Sequence, residues 1–246
     1  KKNAIKDMIK RICGAIDLLI PRTLPHRIRA QAFYFQLKYL PQSKREEVAE
    51  NLLEYVDKYK MFLCGSDQIW APNLLDEAYL FSFLPDESKR FAYAASIGLE
   101  KIPDDKKEVY EKYLYKFTKI AVREQQGANL VSELLNKKIE WVLDPTFLVK
   151  DEHWLALAHY PRKQGYIFCY FLGTNEVHRK WVDKIAKKKN KKVICLSSAR
   201  VEKRKGWKYI PCMGPQEFLG YIYKSCFVIT DSFHGMALSI NLKKDF

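Results

Sequence analysis

The stretch VITDSFHGMALSI runs from Val228 to Ile240. Three largely apolar residues lead into Asp-Ser-Phe-His-Gly, and a stretch of small and apolar residues follows. A short apolar run that stops at turn-forming residues reads as a buried strand of the kind parallel sheets use. Asp231 and Ser232 are residue types that cap helices, so GMALSINLK reads as the start of a helix. Strand followed directly by helix makes this an α/β unit. His234 falls in its first turn, where the positive end of the helix dipole disfavours a protonated imidazole, so the position reads as functional.

Working back towards the N-terminus, the same alternation recurs. GYIFCYFLG, KVICLS and WKYIPC read as strands, NEVHRKWVDKIAKKKN and GPQEFLGYIYKS as helices, and CFVIT as the strand before Asp231. Earlier in the chain KMFLCG (60–65), RFAYAASIG (90–98), KIAVRE (119–124) and EWVLDPTFLV (140–149) read as four more strands, with a helix over GANLVSELLNKK. Such alternation predicts parallel sheets covered on both faces. KDEHWLALAHYPRKQG (150–165) interrupts the pattern as a short amphipathic helix and a polar turn. The expected layout is an N-terminal α/β domain over 1–150, a hinge over about 151–164, and a C-terminal Rossmann-like domain over 165–246. A single doubly wound sheet is the alternative.

Residues 1–58 read as helical. Ser43 is a cap with Glu46 three residues on, and Val48, Leu52, Leu53 and Val56 form an apolar stripe. The basic start KKNAIKDMIKR with ICGAIDLLIP reads as an amphipathic helix through Ile5, Met8, Ile9, Ile12 and Ile16, since Asp17 breaks the apolar run and no cleavage site follows. No apolar run approaches the roughly 20 residues that span a bilayer. Peripheral contact between this helix and an anionic membrane is a secondary expectation.

The chain has 246 residues and a formal charge of +14. Basic character attracts nucleic acid, anionic membranes or anionic substrates alike. The aromatics lie in strand cores rather than alternating with basic residues, so nucleic-acid binding is not expected. The six cysteines show no CxxC pair and no zinc-like spacing with histidine, so they read as buried free thiols and no metal site is predicted.

In open parallel sheets ligands bind beyond the carboxyl ends of the strands. The residues there are Gly65-Ser66-Asp67-Gln68, Ser96-Ile97-Gly98, Arg123-Glu124, Asp144-Pro145-Thr146, Gly173-Thr174 and Asp231-Ser232-Phe233-His234-Gly235. Glycines and hydroxyls at helix starts, with an arginine able to grip an oxyanion in bidentate fashion, give the set an anion-binding character. Each has a plainer reading. Gly65-Ser66-Asp67 forms a tight turn, Arg123-Glu124 a surface ion pair, Asp144-Pro145 a turn and Asp231-Ser232 a helix cap.

FLCGSDQIWAPN, FSFLPDESKRFAYAASIG, AVREQQG, VLDPTFLV with DEHW, and VITDSFHGMALSI occur in that order. The series resembles the polysaccharide pyruvyl transferase family from about Phe62 onwards. The resemblance implies two Rossmann-like domains facing a cleft, as in GT-B glycosyltransferases. It implies phosphoenolpyruvate as donor, with no further cofactor, and a glycan or lipid-linked saccharide as acceptor, in the cytoplasm or at the inner face of the membrane. Arg123 and His234 match the family's donor-associated arginine and histidine. Around them, Asp231 and Asp67 become candidates for activating the acceptor hydroxyl, and Ser66, Gln68, Ser232 and Gly235 for binding substrate. Members usually begin with a strand and a glycine/asparagine-rich loop and continue past the histidine helix to a donor-binding lysine. The chain is therefore expected to be a fragment with an incomplete C-terminal domain, and Lys243 and Lys244 do not take that lysine's place. A nucleotide-sugar glycosyltransferase of similar architecture and a non-catalytic glycan-binding relative are the competing expectations. Acceptor identity and oligomeric state are not legible.

Overall fold

A computed structural model describes residues 35, 38–40, 49–86, 88–196 and 203–246. The amphipathic helix predicted near the N-terminus and the cap at Ser43 lie outside the described residues. What is described of the predicted 1–58 helix includes a 3₁₀ helix over Ala49–Lys58. The chain divides into two compact units, formed by the described residues of Ser43–Leu148 and by those of Lys1–Gln42 with Val149–Phe246.

The Ser43–Leu148 unit carries a parallel sheet of β1 (Phe62–Cys64), β2 (Arg90–Ala95), β3 (Lys119–Val122) and β4 (Glu140–Trp141), in that spatial order. Helix α1 (Asp104–Leu114) connects β2 to β3, and α2 (Gln125–Leu135) connects β3 to β4. Winding in one direction with right-handed crossovers places successive helices on the same face. Accordingly Tyr110 and Leu114 of α1, with Ala128 and Val131 of α2, share one core with Phe62, Ala92, Ile120 and Val122. Leu63, pointing the other way, is 66% exposed.

Two loops of this unit are held by buried side chains. Arg90, 1% exposed, donates to the carbonyls of Leu84 and Pro85 at 2.6 and 2.8 Å and to those of Asp86 and Ser88 at 3.3 Å. Trp70 is fully buried, its Nε1 donating to the Tyr79 carbonyl, and Tyr110 Oη donates to the Trp70 carbonyl at 2.6 Å. Burial pushes the Tyr110 phenol upward.

β4 is much shorter than the predicted run 140–149. After Trp141 the chain turns into a 3₁₀ segment, Pro145–Leu148. Pro145 has no N–H to extend the ladder, and Asp144 Oδ1 accepts from Thr146 N and Oγ1, which closes the turn.

The second unit carries β5 (Ile167–Tyr170), β6 (Val193–Leu196), β7 (Trp207–Ile210) and β8 (Phe227–Thr230), all parallel, in the order β7-β6-β5-β8. Helices α3 (Asp151–Leu157), α4 (Glu176–Lys189), α5 (Pro215–Lys224) and α6 (Phe233–Asn241) complete it. The winding reverses at β5, so helices cover both faces. Phe168, Ile194 and Val228 pack with Leu219 and Ile222 of α5 and Leu238 of α6. Ile167, Cys169, Val193 and Cys195 pack on the other side against Val182, Ile185 and Ala186 of α4. Period-two alternation along β5 thus serves two cores.

The five described cysteines are free; Cys64, Cys169 and Cys195 are buried. Burial pushes the Cys64 thiol up to about 12 and the Cys195 thiol to about 11. Trp181 is 55% exposed, with Lys184 Nζ 4.8 Å from its ring centroid. Among the described residues no helix is long and apolar enough to cross a membrane.

Candidate functional site

At the carboxyl edge of the first sheet the ends of β1, β3 and β4 contribute side chains, and the end of β2 contributes backbone groups. The loop after β1 starts at Gly65, whose φ is +121° and where an added Cβ would lie 1.9 Å from the Tyr93 carbonyl oxygen. Only glycine allows that approach. Asp67 follows with φ 63°, its carbonyl accepting from Ser96 N at 2.9 Å, so the loop is sewn to the end of β2.

Arg123 emerges from the end of β3 with its N–H donating to the Ala95 carbonyl. Its side chain is 5% exposed, which excludes the surface-pair reading. Nε pairs with Glu124 at 3.0 Å, Nη1 with Asp144 at 3.2 Å and Nη2 with Asp67 at 3.5 Å. Asp144 is wholly buried and also accepts from Ser66 Oγ at 2.8 Å. Burial alone would raise the Asp144 carboxyl. The hydrogen bonds from Thr146 N, Ser66, Thr146 Oγ1 and Arg123 outweigh it and hold the carboxyl below its ordinary range. Trp141, exposed, donates from Nε1 to the Arg123 carbonyl at 3.1 Å. Gln68 packs its side-chain amide over Gly98, where a Cβ would sit 2.7 Å from Nε2.

The structure thus gathers Ser66, Asp67 and Arg123 in one cluster. To them it adds Glu124, Asp144 and Thr146, which also stand just past strand ends in the sequence, and Trp141, which carries no such signal. Asp144 reads from sequence as a turn residue, and it is one; its second oxygen provides the link to Ser66 and Arg123. The cluster holds one guanidinium and three carboxylates, a formal charge of −2 when all are ionised.

In the second unit the strand order reverses between β5 and β8, a topological switch point whose crevice lies outside the strand ends. Asp231, just past β8, accepts from Leu172 N, just past β5, at 2.7 Å through Oδ1. Its Oδ2 lies 3.6 Å from His178 Nδ1. Thr230 Oγ1 donates to the Tyr170 carbonyl at 2.6 Å, a second tie between these strand ends.

Ser232, not Asp231, caps α6, its Oγ accepting from Gly235 N at 3.3 Å. Gly235 is forced by close packing, because a Cβ there would come within 2.6 Å of Thr230 Oγ1. His234 is the second residue of α6, partly buried, with its ring edge-on to Phe233 at 5.3 Å. His178 escapes a sequence reading because it sits inside a helical pattern whose lysines dominate. Its one signal is its place three residues after Asn175, the cap of α4.

Among the described residues, no group of three or more histidines, cysteines and carboxylates is placed to hold a metal ion. Against families of known proteins, residues 3–246 match the one described as polysaccharide pyruvyl transferase. The chain belongs to the polysaccharide pyruvyl transferase family. Searches of curated proteins and of solved structures returned no match. Membership makes the chain a member of a family of transferases that move a pyruvyl group onto polysaccharide. Nearly the whole chain is matched, so both clusters fall within the pyruvyl transferase match.

Proposed function

We propose that this pyruvyl transferase takes the pyruvyl group from phosphoenolpyruvate and joins it to two hydroxyls of one sugar as a cyclic ketal. The transfer balances without oxidant or reductant. A proton adds to the donor methylene carbon as one sugar oxygen bonds to C2. The second hydroxyl then displaces phosphate at C2 and gives up its proton. A general acid/base near neutrality suits these steps, and imidazole is the natural side chain for them. His234, at the start of α6 beside the switch point, takes that part. It either protonates the methylene carbon or holds the phosphate at a helix end suited to anions. Asp231 is the neighbouring candidate base for the acceptor hydroxyl.

The observation that carries the reading is the held guanidinium of Arg123, fixed through Nε and Nη1 by Glu124 and Asp144. Nη2 faces the exposed Asp67 at 3.5 Å, a contact long enough for an incoming carboxylate or phosphate oxygen to replace. A second reading comes from the cluster's excess of carboxylates. Sugar hydroxyls both donate and accept, so three carboxylates around one guanidinium suit them better than they suit a trianionic donor. Arg123 and Asp67 then hold the acceptor.

Steady-state kinetics of Arg123→Lys separates the two readings. A raised KM for phosphoenolpyruvate with the acceptor KM unchanged supports the donor reading, and the converse supports the acceptor reading. The function itself is tested by thermal shift. Stabilisation by phosphoenolpyruvate but not by nucleotide sugars is expected, because a ligand that binds only the native state raises Tm. Stabilisation by nucleotide sugars alone overturns it in favour of a glycosyltransferase.

A further inference from the structure

The charge of the chain is distributed unevenly. Residues 149–246 carry 19 Lys and Arg against 8 Asp and Glu, whereas residues 43–148 carry 15 against 19. In a parallel sheet every strand starts at the same end. In the second unit lysines stand at those starts: Lys163 ahead of β5, Lys191 and Lys192 ahead of β6, Lys224 ahead of β8, and Lys208 early in β7.

At this end there is a cavity of about 360 Å³ lined by Lys163, Gln164, Asn190, Lys191, Lys192 and Lys208 among others, with no carboxylate in its lining. That volume lies in the range of small-molecule sites. Its walls are fixed by backbone hydrogen bonds. Gly165 N donates to the Lys224 carbonyl at 2.8 Å, Ile167 N to that of Lys192 at 2.9 Å, and Lys191 N to that of Ala186 at 3.0 Å. Asn190, in the left-handed conformation, closes α4 beside it.

Helix α4 explains some of the charge, because Lys187, Lys188 and Lys189 sit in its last turn, where the negative end of the dipole favours cations. It does not explain Lys163, Lys191, Lys192 and Lys208. None of these four lies in that turn, and among the described residues none pairs with a carboxylate. Four like charges around one hollow repel one another, and an anion would relieve that repulsion. The cavity also lies at the opposite end of the sheet from Asp231 and His234, so the pyruvyl-transfer chemistry does not account for it.

We propose that this cavity is a second anion site, which takes a ligand bearing two or more phosphates. Ammonium groups on flexible stems act as point charges suited to such ligands. The phosphates could be those of a soluble polyphosphate or of an anionic lipid headgroup. The inference stands whether or not the pyruvyl reading does.

The test is binding of inorganic tripolyphosphate by calorimetry, and of phosphatidylcholine vesicles with and without phosphatidylglycerol by co-sedimentation, both in low salt. The chain as described is compared with Lys191→Gln/Lys192→Gln/Lys208→Gln and with a control, Lys180→Gln/Lys184→Gln/Lys244→Gln. Loss of three charges from the cavity should weaken binding about ten-fold or more, and raising the salt should weaken the original binding steeply. The control should bind as the original does. Tripolyphosphate binding that needs the cavity lysines supports the site with a soluble ligand. Vesicle binding that needs both phosphatidylglycerol and those lysines supports it with a headgroup. No binding of either probe, or equal loss in the control, overturns the proposal.

Discussion

Ser66 Oγ donates to Asp144 Oδ2 at 2.8 Å, although Ser66 follows β1 and Asp144 follows β4, the two outer strands of the sheet. Three strand spacings, roughly 14 Å, separate those edges. The two loops must therefore fold inward over the ends of β2 and β3, and Arg123 occupies the place where they meet. Asp144→Ala leaves that guanidinium buried with its wholly buried partner gone, which should cost about 3–5 kcal/mol. Ser66→Ala removes one hydrogen bond to a charged group and should cost about 1–2 kcal/mol. Urea denaturation of the two variants measures both.

The acid limb of stability follows from the same carboxyl. Asp144 is held below its unfolded value of about 3.9, so the native state binds fewer protons there than the unfolded chain. Its contribution is complete above the unfolded value and disappears as pH falls through the folded one. Asp144→Asn should therefore be less stable than the original at pH 7, and the gap should narrow as pH drops from 5 towards 3. Denaturation midpoints over that range decide it.

His234→Ala should abolish phosphate release from phosphoenolpyruvate in the presence of acceptor while leaving Tm within a few degrees. Its side chain caps no helix and is not among the fully buried ones. A variant that still releases phosphate at the original rate removes His234 from the chemistry.

Ser232→Ala tests the cap instead. Loss of the bond from Gly235 N to Ser232 Oγ should cost about 1 kcal/mol, typical of an N-cap. A drop in Tm with kcat retained assigns the hydroxyl to the helix rather than to substrate.

Thiol labelling checks the burial of the cysteines. With Cys64 and Cys195 pushed up to about 12 and 11, and Cys169 also raised by burial, these three should resist iodoacetamide in the native state at pH 8. Cys212 and Cys226, partly exposed, should react before these three, and peptide mapping after labelling reads the order.

Most of the strands were legible because each is a short apolar run ended by glycine or a turn former, and His234 was placed because Asp-Ser and Gly bracket it. Helix α1 gave a thinner signal. Its apolar positions reduce to Val109, Tyr110, Tyr113 and Leu114 among lysines and acids. β4 was overread because Leu143 and Phe147 continue the apolar pattern while Pro145 cannot continue the ladder. The grouping of Ser66 with Asp144 was out of reach, since 78 residues separate them and only the strand order brings them together. Asp231 was visible as a residue, but its bond to Leu172 depends on the reversal at β5, which no local pattern encodes.

That reversal also sets an order of events in time. β5, β6 and β7 are contiguous neighbours in chain and space, whereas β8 must return past two strands to pair with β5, 60 residues away, as in Ile167 with Phe227. Loop closure of that length is slow relative to local pairing. As the chain leaves the ribosome, the three earlier strands can associate before β8 has been made. The tie between Asp231 and Leu172, and the histidine helix behind it, then arise after those three strands. The switch point is thus completed only after the three strands on one side of it have been made.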